Sequence, residues 1–368
     1  MNKERLINEF IEMVKVPSES KSERDFALLL EKKLTALGFE TMIDDSAEKT
    51  GSNTGNVLAR LKGTTSAETV IFAAHMDTVS PGIGIDPIID GDVIKSDGKT
   101  ILGADDKSAI AAFLEAIRTI QEEGVAHGDI EVAFTTIEES GMYGAKNLDY
   151  SFLNGKTAFA LDSGGKPGTV IVKAPAKKEL RAHIKGRAAH AGVEPEKGIS
   201  AIMVMADAIS RMKLLRIDED TTANIGRISG GTVTNIVAEH CDIVIEARSL
   251  IVEKLNLQVQ HLVSCLEDSC TRFGAELTCE VESNYPPLNV PESSHALAIA
   301  KKAAEKAGFP FRATSTGGGS DANIFAGKGL DVVNLGIGMS NPHSVNEFIA
   351  IEDMVNTSKY IVEIIQTM

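Results

Sequence analysis

Three apolar stretches of this chain each end abruptly in residues that bind metals or move protons. Thr69-Val-Ile-Phe-Ala-Ala runs into His75-Met-Asp77, Ile130-Glu-Val-Ala-Phe-Thr-Thr-Ile137 into Glu138-Glu139, and Thr157-Ala-Phe-Ala-Leu161 into Asp162-Ser-Gly-Gly. Residues i and i+2 of an extended chain share a face, so the Asp77 carboxylate can hold one ring nitrogen of His75 while the other faces a metal. Adjacent glutamates at a strand end point in different directions, which lets one of Glu138 and Glu139 bind a metal while the other moves a proton. A fourth cluster, Leu102-Gly-Ala-Asp105-Asp106-Lys107, opens a helix. Asp106 there can act as the N-cap, with both carboxylates favouring the positive end of the helix dipole. Equally, a carboxylate at that mouth can bridge two cations, because each of its oxygens can take one. A late histidine, His343, follows in Asn341-Pro-His343.

The elements that must position these residues are readable from periodicity. Short apolar runs rich in β-branched residues predict buried strands near 39–44, 56–62, 69–74, 130–137 and 157–161, and open α/β sheets place their ligand sites at the C-terminal ends of such strands. Amphipathic helices are expected at 3–15, 21–37 and 108–122, and the Gly-, Pro- and Asp-rich segment 80–100 reads as a loop with a short hairpin. After Pro175 the character shifts. Strands at 178–185, 221–228, 240–248 and 275–283, with helices at 198–213 and 252–273, give the β-α-β-β-α-β order of a ferredoxin-like sandwich. Beyond Pro286-Pro287 the α/β pattern resumes, with a helix at 293–307, strands at 311–315 and 331–335, and a last helix at 351–367. The expected architecture is therefore an α/β domain formed by 1–176 and 289–368, with helices on both faces of a mixed sheet, interrupted by an α+β domain at 177–288.

With 368 residues, 43% of them hydrophobic and 24% charged, the chain can build two ordinary globular domains. A formal charge of −15 argues against nucleic acid or an anionic membrane as a partner, since both select clustered Lys and Arg. No apolar run is long enough to span a bilayer, and Met-Asn-Lys-Glu-Arg-Leu reads as the start of an amphipathic helix rather than a signal peptide, so a cytoplasmic protein is expected. Cys241, Cys265, Cys270 and Cys279 form no C-x-x-C pair and read as buried reduced thiols.

The order His75-x-Asp77, Gly-Ala-Asp105-Asp106-Lys107, Glu138-Glu139, Asp162, an inserted domain bearing Gly186-Arg-Ala-Ala-His190-Ala-Gly, and His343 resembles the M20 family of dinuclear zinc peptidases and deacylases. Within that family the chain is most similar to the peptidase T branch of tripeptide aminopeptidases. The resemblance spans nearly the whole chain. It implies one metal held by His75 and Asp162, another by Glu139 and His343, and Asp105 bridging the two. Two divalent cations, zinc or alternatively cobalt or manganese, against three carboxylates and one hydroxide sum to zero, which suits a partly buried site. The resemblance also implies that Asp77 orients His75, that Glu138 is the general base, and that the Asp105–Asp106 peptide is cis. His190 is implied as the group that steadies the oxyanion, often reaching across a dimer formed by the inserted lid domain. Asn235 and Arg248 match lid positions that contact substrate, Arg being suited to a carboxylate. Backbone N–H groups around Gly318 and Gly319 could receive a carboxylate as well.

Asp at position 162 resembles the di- and tripeptidases of the family, whereas its carboxypeptidases and succinyl-amide deacylases more usually carry Glu. The expected substrate is accordingly a short peptide cut at its N-terminal residue. An N-acyl-amino-acid deacylase or carboxypeptidase built on the same centre is the alternative, and a metal- or peptide-binding protein without catalysis a remote one. A nucleotide-binding enzyme would need a glycine fingerprint after an early strand, which the chain lacks.

Overall fold

A computed structural model describes residues 1–368. Packing contacts divide it into two units, one made of residues 1–173, 289–315 and 320–368, the other of 174–288 and 316–319. The second boundary set puts the short loop Thr316–Gly319, expected with the larger domain, in the smaller unit.

In the larger unit the strands lie in the spatial order Glu40–Ile43, Val57–Leu61, Ile130–Thr135, Val70–His75, Thr157–Ser163, Asp331–Gly336 and Thr169–Ala174, with Arg312–Ser315 paired to the last. The four middle strands are mutually parallel, while Val57–Leu61 and Glu40–Ile43 join antiparallel at one side. Parallel pairing brings C-terminal ends to one edge, so the residues that follow Thr135, His75, Leu161 and Gly336 are gathered there whatever their distance in sequence. Every residue of Val70–His75 and of Ile130–Thr135 is buried, as expected for strands covered on both faces.

The core behind that edge is aromatic. Phe72 packs against Phe113 and Phe159 with ring centroids 5.5 and 5.8 Å apart, and Phe113 meets Phe134 edge-on at 5.9 Å. Full burial of each such ring contributes roughly 1.5–3 kcal/mol of transfer free energy. Phe113 belongs to the helix Ala104–Glu123, whose alanines at 109, 111, 112 and 116 leave room for close approach to the sheet and to the helices Lys3–Val14 and Ile351–Thr367. The helix begins irregularly. Gly103 has φ of +75°, Asp105 and Asp106 have non-helical dihedrals, and the peptide between them is cis. The loop expected at 80–100 contains the hairpin Ile88–Asp90 and Val93–Lys95, which joins Phe348–Ala350 and Met339–Ser340 in a small separate sheet.

The smaller unit contains Ala176–Lys185, Ala201–Arg211, Thr221–Gly230, His240–Ser249, Val252–Phe273 and Glu276–Tyr285, the β-α-β-β-α-β order of the sequence reading, with an extra two-residue strand Leu215–Arg216. Its antiparallel sheet runs Thr221–Gly230, His240–Ser249, Ala176–Lys185, Glu276–Tyr285. Strand alternation buries Leu180, Ala182, Ile184, Ile243 and Ile245 against Val204, Met205, Leu262 and Leu266 of the two helices. All four cysteines are free; Cys241, Cys265 and Cys270 are buried as expected, whereas Cys279 is only partly buried.

Candidate active site

At the gathered strand ends, Asp105 is the central residue. Its Oδ1 lies 2.9 Å from His75 Nε2 and its Oδ2 lies 3.3 Å from His343 Nε2. The same His343 nitrogen is 2.9 Å from Glu139 Oε2. His75 closes its strand, whereas His343 sits on a loop with φ of +60° and is half-exposed. Ligand atoms of His75, Glu138 and Asp162 lie within 4.8 Å of one another, as do those of His75, Asp105 and Glu139. Asp162 is fixed through its main chain, which exchanges two hydrogen bonds with the Asn334 amide at 3.0 and 2.6 Å.

Asp77 is placed differently from the strand-based expectation. The imidazole Nδ1 of His75 bonds at 2.8 Å to the main-chain carbonyl of Asp77, and the nearest Asp77 carboxylate oxygen is 3.6 Å away. Regular strand geometry ends at His75, so the i, i+2 rule no longer aims the Asp77 side chain. That carboxylate instead accepts the main-chain N–H groups of Glu138 and Glu139, and the Ser20 hydroxyl at 2.6 Å. The Asp106 side chain likewise makes no capping bond to the helix that follows it: its Oδ2 accepts the main-chain N–H of His75 at 3.2 Å and its Oδ1 has no partner.

The electrostatics reflect crowding of acids. Burial, with Asp162 beside it, pushes the Glu138 carboxyl well above its ordinary range, and burial together with Asp105 does the same to Asp162. Burial also raises Glu139. Asp105 goes the other way: burial opposes its ionisation, but hydrogen bonds from His343 and His75 hold it well below the usual carboxylate range. Those same contacts with Asp105 and Glu139 push His343 up to about 10, and His75 rises despite its burial through Asp105 and Asp77. A cluster of this many carboxylates and two imidazoles within ligand distance suits divalent cations, whose charge would replace the protons now shared there. Glu139 Oε1, buried and without a hydrogen-bond partner, is an oxygen such an ion would satisfy.

Residues 71–367 match the model of peptidase family M20/M25/M40. The chain belongs to this family. Aminopeptidase PepT of Bacillus cereus is 46% identical, with a TM-score of 0.92 over 100% of this chain and 99% of that one. A tripeptidase of Staphylococcus aureus is 37% identical, with a TM-score of 0.96 over 100% and 98%. A Bacillus subtilis protein known as YqjE, itself uncharacterized, is 47% identical over 100% of this chain and 99% of its own length. This M20 chain is thus a peptidase of the peptidase T-like kind, with the mixed α/β fold of its relatives.

The remaining candidates of this M20 peptidase belong to the smaller unit. His190 and Asn235 are brought together there: His190 pairs with Ile236 in an isolated bridge, and Ala191 N–H donates to the Asn235 carbonyl at 3.0 Å. The ring of His190 is exposed and its Nδ1 accepts the Gly192 N–H at 3.2 Å, which in the neutral ring leaves the proton on Nε2, available to a ligand. Arg248 pairs with Glu246 at 3.1 Å and keeps a buried Nε without a partner. In the glycine loop, Gly318 N–H bonds to Thr316 Oγ1 at 3.3 Å, so one expected anion donor is already engaged. Gly319 is required for packing, since a Cβ there would come within 2.4 Å of the Tyr285 ring.

Several residues of the site were not singled out from sequence. Glu23 accepts Ile137 N–H at 3.0 Å and Asn56 Oδ1 accepts Thr136 N–H at 3.0 Å. With Asp77 they capture the consecutive N–H groups of 136–139, a turn in which Ile137 has φ of +50°. Asp321 accepts the Thr135 hydroxyl, keeps Oδ1 unpartnered, and is pushed by burial up to about 7. Glu347 accepts three main-chain N–H groups beside Asp105. Of these, only Asp321, opening a helix after glycines, and Glu347, four residues after His343, carry a hint in the sequence.

Proposed function

We propose that this peptidase is a metal-dependent aminopeptidase that releases the N-terminal residue of short peptides, tripeptides foremost. The observation that carries the metal reading is Asp105, one oxygen of which faces His75 and the other His343. A carboxylate so shared suits a bridging ligand, with His75 and Asp162 completing one ion site and Glu139 and His343 the other. Zinc, cobalt or manganese held there would supply a Lewis acid for the scissile carbonyl and acidify the attacking water.

Glu138 is the general base in this reading. Its carboxyl is buried and, with Asp162 beside it, raised above the ordinary carboxylate range, which suits a group that takes a proton from water and returns it to a leaving amine. Its main-chain N–H and that of Glu139 are both held by the Asp77 carboxylate, so the proposed base and the proposed ligand beside it are positioned by one side chain. His190, with its Nε2 proton, is proposed to stabilise the oxyanion, and Asn235, Arg248 and the Gly318–Gly319 loop to contact the peptide. The aminopeptidase and tripeptidase names of the two similar solved structures favour the N-terminal direction of cleavage.

The test is release of the N-terminal residue from a free tripeptide by metal-loaded protein, beside the N-acetylated tripeptide and an N-acetyl amino acid, with Glu138→Ala as control. Turnover of the free tripeptide alone, lost in the control, supports the proposal. Turnover of only the blocked substrates would reassign the chain to the deacylase or carboxypeptidase branch.

A further inference from the structure

The loops that carry Asp105 and His343 are far apart in sequence and are joined by one buried carboxylate. Glu347 Oε2 accepts the N–H groups of Leu102 and Gly103 at 2.7 and 2.8 Å, and its Oε1 accepts the N–H of Asp105 itself at 3.0 Å. Its own main chain is held on both sides, Glu347 N–H donating to the Ser344 carbonyl at 3.1 Å and its carbonyl accepting Ser96 N–H at 3.0 Å. Glu347 is 1% exposed and lies four residues beyond His343.

The loop it holds needs such support. Gly103 has positive φ, Asp105 and Asp106 depart from helical dihedrals, and their N–H groups come before the helix can supply intrahelical acceptors. A buried carboxylate receiving three N–H groups forms charge-assisted bonds, which are shorter and stronger than neutral ones. Both its oxygens are used, so its shape as well as its charge is matched to the loop.

We infer that Glu347 is a positioning residue that locks the Asp105 loop to the His343 loop, so that both residues present their side chains to the ions as one preset unit. This rests on the reading of Asp105 and His343 as ligands. Glu347 touches neither substrate nor metal in this scheme. It acts through the main chain of Asp105 and through the loop it shares with His343. Glu347→Gln keeps one acceptor oxygen and turns the other into an amide NH2 group, which places donor against donor at one side of the clamp.

The experiment compares wild type, Glu347→Gln and Glu347→Asp by competitive metal titration, by hydrogen exchange of the amides at 102–105, and by peptidase activity across metal concentrations. Expected for Glu347→Gln are faster exchange at 102–105, metal affinity lower by roughly 10–100-fold, and kcat restored toward wild type by excess metal with KM little changed. Glu347→Asp, one methylene short but still charged, should fall between the two. Wild-type affinity and exchange in either folded variant would overturn the inference, and if Glu347→Gln does not fold, Glu347→Asp decides it by the same measurements. Wild-type protein that takes up no metal would instead defeat the metal reading, and the clamp is then decided by hydrogen exchange alone.

Discussion

The carboxylate of Asp77 holds the backbone of Glu138, its Oδ1 receiving the Glu138 N–H at 2.8 Å and its Oδ2 the Glu139 N–H at 3.3 Å. Two neighbouring acids assigned different tasks are therefore aimed by a third acid from another strand end, with Asp77 wholly buried. Asp77→Asn keeps the shape but offers only one acceptor oxygen, leaving an N–H group at the turn facing a donor. The expected outcome is a fall in kcat of roughly 10–100-fold, the usual effect of losing an outer support of a metal site, together with about 1–3 kcal/mol of stability. Steady-state kinetics alongside thermal unfolding checks both, and unchanged kcat in a folded Asp77→Asn protein would refute the role.

Glu138→Gln removes the proton acceptor while keeping the side chain's size. The proposed base predicts a loss of roughly 10²–10⁴ in kcat with KM and metal content unchanged. Loss of bound metal in this variant would show that Glu138 is a ligand, consistent with its place within 4.8 Å of His75 and Asp162 ligand atoms.

His190 is exposed, so its replacement should leave folding intact. In the oxyanion role, His190→Ala lowers kcat by roughly 10²–10³ without a change in melting temperature. If kcat is retained, the residue is a turn element of the smaller unit and nothing more.

Metal removal should make stability depend on pH in a definite direction. Asp321 rises from 3.8 to about 7 and His343 from 6.5 to about 10, while Glu138, Asp162 and His75 rise as well. Each of these groups binds its proton more tightly in the folded protein. Its contribution is complete below the unfolded pKa and is lost as pH rises through the folded one. Asp105 is lowered, so its contribution disappears only in acid, below the ordinary carboxylate range. The metal-free protein should therefore melt at a lower temperature at pH 8.5 than at pH 5.5, with His343→Asn reducing the slope. Metal-loaded protein should lack this decline, since the ions displace the protons. A metal-free melting temperature that rises with pH over this interval would contradict the assignment.

Asn56 joins Asp44 to the turn at 136–139, its Nδ2 donating to Asp44 Oδ2 at 2.8 Å and its Oδ1 accepting Thr136 N–H. Asn56→Ala leaves a buried carboxylate oxygen and a buried N–H without these partners, at a cost of about 2–4 kcal/mol. Denaturant unfolding measures it. A cost within experimental error would mean that the turn at 136–139 is held without Asn56.

What the sequence determined by itself was which buried elements end in residues of metal-binding or proton-moving type. Val70–His75, Ile130–Thr135 and Thr157–Ser163 were legible because burial on both faces demands uninterrupted apolar runs, and a His, Glu or Asp at the end of such a run stands out against them. The inserted β-α-β-β-α-β unit was legible because its strands bury one face and alternate. Tertiary structure alone decided where the polar side chains between those elements point. The Asp77 carboxylate, 3.6 Å from the ring nitrogen of His75, took up the main chain of Glu138 as well, and that of Asp106 took up the main chain of His75. Glu23, Asn56 and Glu347 gained their parts only when distant segments met, because what they bind is main-chain N–H, a group every residue but proline carries and no sequence pattern marks.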